Sequence, residues 1–223
     1  MAKKLLLFFG ILFFAGLDAS CRAEAVSDAS INLKDIYQEM NLSNVVGFKA
    51  FEQAITGYQK INPANKRVIT VIDFSKPSCD ERLAVIDLQE KKLLFSSHVS
   101  HGRNSGDNYA SSFSNKANSY QSSLGFYITE QPYDGRCGYS LTLEGLEKGI
   151  NDNAKQRGVV VHGAAYADPK LIPASGGRLG RSRGCPALPF ANNEKIIDTI
   201  KGGTLLFIYA ENSNYLAKST ILQ

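Results

Sequence analysis

The 223-residue chain holds four cysteines and three histidines, and the pairing among them that suggests chemistry is Cys185 with His162. Cys185 stands in the run Ser182-Arg183-Gly184-Cys185-Pro186. Gly184 lets a backbone approach a ligand closely, and Pro186 fixes the chain on the other side. Arg178, Arg181 and Arg183 crowd the same loop. Positive charge favours a thiolate over a thiol, and a planar guanidinium can grip a substrate carboxylate through two parallel hydrogen bonds. A buried cysteine beside a turn has the same local pattern, and the arginines are what tilt the reading toward a nucleophile.

A thiol nucleophile needs a base within reach. His162 closes the apolar run Val159-Val160-Val161 and precedes Gly163, so a strand would deliver it rigidly to the edge of a site. The competing reading is a hydrogen-bonded core histidine. His98 and His101 end another apolar run. His98 reads as structural, while His101, next to Gly102, is a candidate to line the same cleft. Other chemistries lack their residues. There is no CxxC or HExxH for zinc, no phosphate-binding glycine loop, and no dinucleotide fingerprint. No second cysteine near Cys185 makes a redox dithiol, and the histidine precedes the cysteine, the reverse of the papain order. No metal and no cofactor is expected.

The elements that must position these residues are mostly strands. Residues 68–72, 83–86, 93–99, 126–129, 139–143, 159–161 and 205–209 are short β-branched or aromatic runs bounded by turn residues. Helical spacing is confined to residues 26–64 and to one segment near the C-terminus. In the first, Phe48, Phe51, Ile55 and Tyr58 share a face, Ser43 is a candidate N-cap and Asn62-Pro63 a stop. In the second, Asn192 or Asn193 caps a helix that buries Ile196, Ile197 and Ile200 and ends at Gly202. This pattern predicts a mainly β domain of sandwich or barrel type over 65–223, with a small helical segment in front of it and a helix near its end. Two long irregular stretches, 100–123 and 163–184, are read as functional loops. Tyr109, Phe113 and Tyr120 are the expected anchors of the first.

Composition fixes the class: 43% hydrophobic and 21% charged residues describe a globular protein. The formal charge of +4 is too small and scattered to argue for nucleic acid. Residues 1–25 read as a signal peptide, with Lys3 and Lys4 ahead of a 13-residue apolar run and Ala23-Glu24-Ala25 at its end. The run is too short to span a bilayer comfortably, and Asp18 stands where a lipobox before Cys21 would need an aliphatic residue. The expectation is an exported, periplasmic or secreted protein with no stable membrane insertion after cleavage. Export leaves Cys79, Cys137 and Cys185, an odd number in an oxidising compartment. A Cys79–Cys137 bridge is slightly favoured over two free thiols, and Cys185 is expected to stay outside any bridge.

Val161-His162-Gly163 followed by Ser182-Arg183-Gly184-Cys185 resembles the L,D-transpeptidase (YkuD-type) signature, a strand-end His-Gly ahead of a Ser/Thr-x-Gly-Cys loop. Val99-Ser100-His101-Gly102 and the segment from Ser123 through Gly125 to Ile128 resemble that family's upstream elements, and residues 177–188 are similar to its murein catalytic-domain variant. The resemblance spans about residues 65–210. It implies Cys185 as nucleophile, His162 as its base, Gly163 as the carbonyl that orients the imidazole, and the Gly184 and Cys185 amides facing the oxyanion. It also implies peptidoglycan stem peptides as partners, an acyl-enzyme resolved by an amine or by water, and carbapenem-type inhibitors. A non-catalytic cell-wall-binding module is the alternative of another class. Two positions depart from the common motif: Arg183 stands where a histidine is usual, and Ala187 where an arginine is usual. Arg178, Arg181, Arg183, Ser182 and His101 are therefore the expected substrate-binding side chains.

Overall fold

The computed structural model describes residues 33–223, so the expected leader, residues 1–25, lies outside the described residues. Helix α1, described over 33–39, and helix α2, Phe48–Ile61, open this part of the chain. Ser43 does not cap α2. It lies in a 3-10 turn, and Gly47 takes the cap position, where its amide donates to buried Asp73 at 2.8 Å. Asn62 ends the helix in the left-handed conformation before Pro63.

The strands are β1 (Val68–Asp73), β2 (Leu83–Asp87), β3 (Lys92–Ser97), β4 (Gly125–Gly135), β5 (Gly138–Gly145), β6 (Val160–Gly163), β7 (Ala187–Leu188) and β8 (Leu205–Tyr209). Two helices complete the set, α3 (Asn193–Ile200) and α4 (Ser213–Lys218). One eight-stranded sheet runs in the order β3-β2-β1-β8-β4-β5-β6-β7. The β1–β8 and β6–β7 pairs are parallel, and the others are antiparallel. Just past β3, the Ser100 amide donates to Ala187 O at 2.8 Å, so the two ends of the sheet nearly meet and give it a barrel-like form. The mainly β architecture expected from the sequence is the one observed.

Every residue of β1 and β8 is buried, which explains their largely apolar runs, with Thr70 and Asp73 the polar positions of β1. Phe126 and Phe207 stack at 4.2 Å between centroids, and α2 lies so close to them that a Cβ on Gly57 would meet the Phe126 ring at 2.1 Å. Tyr37, Ala50 and Phe51 join the same hydrophobic cluster as the sheet. A smaller cluster of Ala164, Ala167, Leu179 and Ala187 organises the 163–184 loop, which contains three 3-10 turns.

Candidate active site

Strand β6 carries His162 on the register that places it beside Ala187 of β7, with Ser140 of β5 on its other side. Cys185 precedes Ala187 by two residues, so the Cys185 loop enters the sheet directly next to the histidine strand. The Cys185 thiol donates a weak hydrogen bond to Gly158 O at 3.6 Å, just ahead of β6. His162 is 5% exposed, and its Nδ1 lies 2.8 Å from Gly163 O. A carbonyl oxygen only accepts, so Nδ1 carries the proton and the Nε2 lone pair is left as the basic atom. No hydrogen-bond partner of Nε2 is present among the described residues. Burial holds the imidazole below its ordinary pKa against the opposing Gly163 carbonyl, so it is neutral at neutral pH. Gly163 must lack a side chain, since a Cβ would meet Phe190 Cδ1 at 2.6 Å.

The loop before Cys185 is held from within and from without. Ser182, 3% exposed, donates to Cys185 O at 2.6 Å and accepts the Gly184 amide at 3.0 Å. Its backbone pairs with the 101–103 segment through Ser182 N to His101 O and Arg103 N to Ser182 O. Ser122 Oγ donates to Gly184 O at 3.2 Å. Gly184 has φ +124°, and a Cβ there would also approach Gln121 O at 2.8 Å, so the position requires glycine twice over. Ser182 thus braces the loop, and the Gly184 amide is already engaged. The Cys185 amide makes no hydrogen bond to another residue among the described residues, and it is the donor free for an oxyanion.

The arginines also divide differently from the sequence expectation. Arg178 Nε and Arg181 Nη1 both meet Asp107 Oδ1, at 2.7 and 3.3 Å, and Arg181 also donates to Gly106 O. These two hold the 103–108 loop, while Arg183 is exposed and unpaired among the described residues. His101 does not line the cleft. It is fully buried, and Arg82 Nη2 donates to its Nδ1 at 2.8 Å. Burial, reinforced by the Arg82 charge, pushes His101 down to about 4. Arg82 is itself fully buried, and its guanidinium also binds Val99 O and Lys76 O.

The cation whose charge acts on Cys185 is Arg157, which sequence reasoning missed. Its guanidinium gathers Ser114 O, Ser123 Oγ, Ser119 Oγ and Gln121 O, tying down the 114–123 stretch. Serines and Arg157 do this work instead of Tyr109, which is 56% exposed. Burial raises the Cys185 thiol above its ordinary pKa and the nearby Cys137 charge adds to it. The Val160 amide, the Arg157 charge and the amide of Cys185 itself act the other way. Cys79, Cys137 and Cys185 are all free thiols, so the Cys79–Cys137 bridge is not formed. Cys79 instead accepts a hydrogen bond from Asn108.

Residues 42–209, three quarters of the chain, match the L,D-transpeptidase catalytic domain family. The chain belongs to that family. No curated protein matches the sequence. Among solved structures, an L,D-transpeptidase from Mycobacterium smegmatis is 15% identical, with a TM-score of 0.40 over 65% of this chain and 59% of its own. The helical cell shape determining protein Pgp2 from Campylobacter jejuni is 17% identical, with a TM-score of 0.43 over 66% and 48%. An L,D-transpeptidase in complex with imipenem is 15% identical, with a TM-score of 0.39 over 64% and 59%. The chain thus spans about half to three fifths of the length of these solved structures.

For this L,D-transpeptidase-family domain, the two pKa directions define a resting pair of neutral thiol and neutral imidazole. Alkylation of Cys185 by iodoacetamide should therefore rise with pH through a midpoint above the ordinary thiol value. Arg157→Met should move that midpoint further up, because a charge that favours the thiolate is removed. Alkylation resolved to the Cys185 peptide checks this, and an unmoved midpoint would show that Arg157 acts on the loop alone.

Proposed function

We propose that the protein is an exported cysteine acyltransferase that acts on peptidoglycan stem peptides. His162 Nε2 takes the thiol proton as Cys185 Sγ attacks the carbonyl of the third residue of a donor tetrapeptide. The oxyanion forms against the Cys185 amide, in the low-dielectric pocket that also raises the thiol pKa. Collapse of the intermediate breaks the C–N bond to the terminal D-alanine, and the imidazolium returns the proton to the leaving amine. An amine of a second stem then attacks the thioester, its surplus proton passes to His162, and Cys185 is released as a thiol. The product is a 3→3 cross-link.

The observation that carries this reading is the neutral His162, with Nδ1 fixed by Gly163 and Nε2 unpartnered, on the strand beside the Cys185 loop. Family membership supplies the substrate class. A carbapenem serves as a further probe of acylation. Incubation with a defined muropeptide tetrapeptide and mass analysis of the products tests the proposal. A cross-linked dimer with free D-alanine is the expected result. A tripeptide alone would make the protein an L,D-carboxypeptidase, with water as acceptor, and retention without turnover would make it a wall-binding module. Export is tested separately by fractionating cells that express the full chain and sequencing the mature N-terminus, expected near residue 26.

A further inference from the structure

Two guanidinium groups beside the nucleophile loop have no anionic partner. The Arg103 Cζ sits 4.1 Å from the centroid of the Tyr120 ring, and the Arg183 Cζ sits 5.9 Å from the same centroid. Both arginines are exposed. Among the described residues neither side chain makes a salt bridge or a hydrogen bond. Arg178 and Arg181, by contrast, share Asp107, and Arg157 is spent on loop oxygens.

The backbone holds this trio in place. The Arg103 amide donates to Ser182 O at 2.8 Å, and the Asn104 amide donates to Tyr120 O at 3.1 Å. A Cβ on Gly102 would stand 2.5 Å from Tyr120 O, so the two segments are in direct contact. Tyr120 itself adopts φ +53°. One short segment, 102–104, therefore bonds both the stretch that carries Tyr120 and the stretch that leads through Arg183 to Cys185. Like charges gathered around one ring repel each other, and an arriving anion removes that cost. A guanidinium presents a planar fork that matches a carboxylate, and an aromatic ring below it limits its freedom. A single exposed ion pair is weak, but two forks on a fixed frame lose less entropy on binding.

We propose that Arg103 and Arg183, sharing the Tyr120 ring, form a subsite for a free carboxylate of the donor peptide, two residues upstream of the nucleophile. The subsite rests on the stem-peptide reading above. A stem tetrapeptide carries, among its carboxylates, a C-terminal one and a side-chain one on the third residue, and the subsite takes one of these two when it is not amidated.

Binding to the Cys185→Ala protein separates this subsite from turnover. Calorimetry would compare three tetrapeptides: the free acid, the C-terminal amide and the side-chain amide of the third residue. The free acid should bind about tenfold more tightly than one of the two amides, and that amide identifies the carboxylate. Adding Arg103→Gln and Arg183→Gln should erase the difference by weakening only the free acid and the other amide. Arg103→Lys should recover part of it, because charge remains and the fork is lost. Equal binding of all three peptides, or an equal loss on all three in the Gln variants, would overturn the subsite. A protein that shows the selectivity while its wild type forms no acyl-enzyme would contradict the acyltransferase reading and leave the subsite standing.

Discussion

Replacing Cys185 with alanine should abolish release of D-alanine from a stem tetrapeptide and leave the fold intact. Among the described residues the thiol makes one weak hydrogen bond, to Gly158 O at 3.6 Å, and the change to alanine removes a single atom, so its loss removes little stability. The melting temperature is expected to stay within about 4 °C of wild type, the shift that ~1 kcal/mol produces in a domain of this size. The chemistry has no substitute for the sulfur, because His162 deprotonates a serine far less readily. Cys185→Ser should therefore also be severely impaired, and imipenem should add its mass to the wild type and to neither variant. D-alanine release by the alanine variant at a tenth or more of the wild-type rate would remove Cys185 from the reaction.

Loss of His162 should be nearly as damaging. General-base groups contribute about 10²–10⁴-fold, and among the described residues neither other histidine replaces this one, since His101 is sealed beneath Arg82 and His98 bonds Cys79 O. His162→Ala is expected to lower acylation by that factor and to change its pH dependence. In the wild type, burial sets the acid limb below the ordinary imidazole pKa, so activity persists as pH falls past that value and is lost once Nε2 is protonated. In the variant that limb disappears, and the residual rate rises with pH as the raised Cys185 thiol ionises directly. Acylation rates measured by rapid quench across pH test both halves. A variant that keeps the wild-type acid limb would show that another group titrates there.

The candidate pair Cys185 and His162 was legible because each is announced by its immediate neighbours: an apolar run ending in His162-Gly163, and Gly184-Cys185 between turn residues. The β architecture was legible for the same reason, since β1 and β8 are buried on both faces and carry largely apolar runs. Strand β7 escaped because it is two residues long between Pro186 and Pro189, and pairing with β6, not propensity, makes it a strand. The division of labour among the arginines was not legible at all. Arg178, Arg181 and Arg183 are equivalent in sequence, and only the position of Asp107 from a distant loop commits the first two. Arg157 sits between Gln156 and Gly158 with no local mark, and its importance comes from four oxygens on the 114–123 stretch. His101 looked like His162, a histidine before a glycine at the end of an apolar run. What separates them is a buried arginine on one and a free Nε2 on the other.

The most direct test of the account is to trap the acyl-enzyme. The full mature protein would be mixed with a stem tetrapeptide, without an acceptor amine, quenched in acid and mapped by peptide mass analysis. The account predicts an adduct with the mass of the tetrapeptide less D-alanine, carried by the peptide that contains Cys185 and released by hydroxylamine. The same adduct on Cys79 or Cys137, or cross-linked product formed by the Cys185→Ala protein, would contradict it.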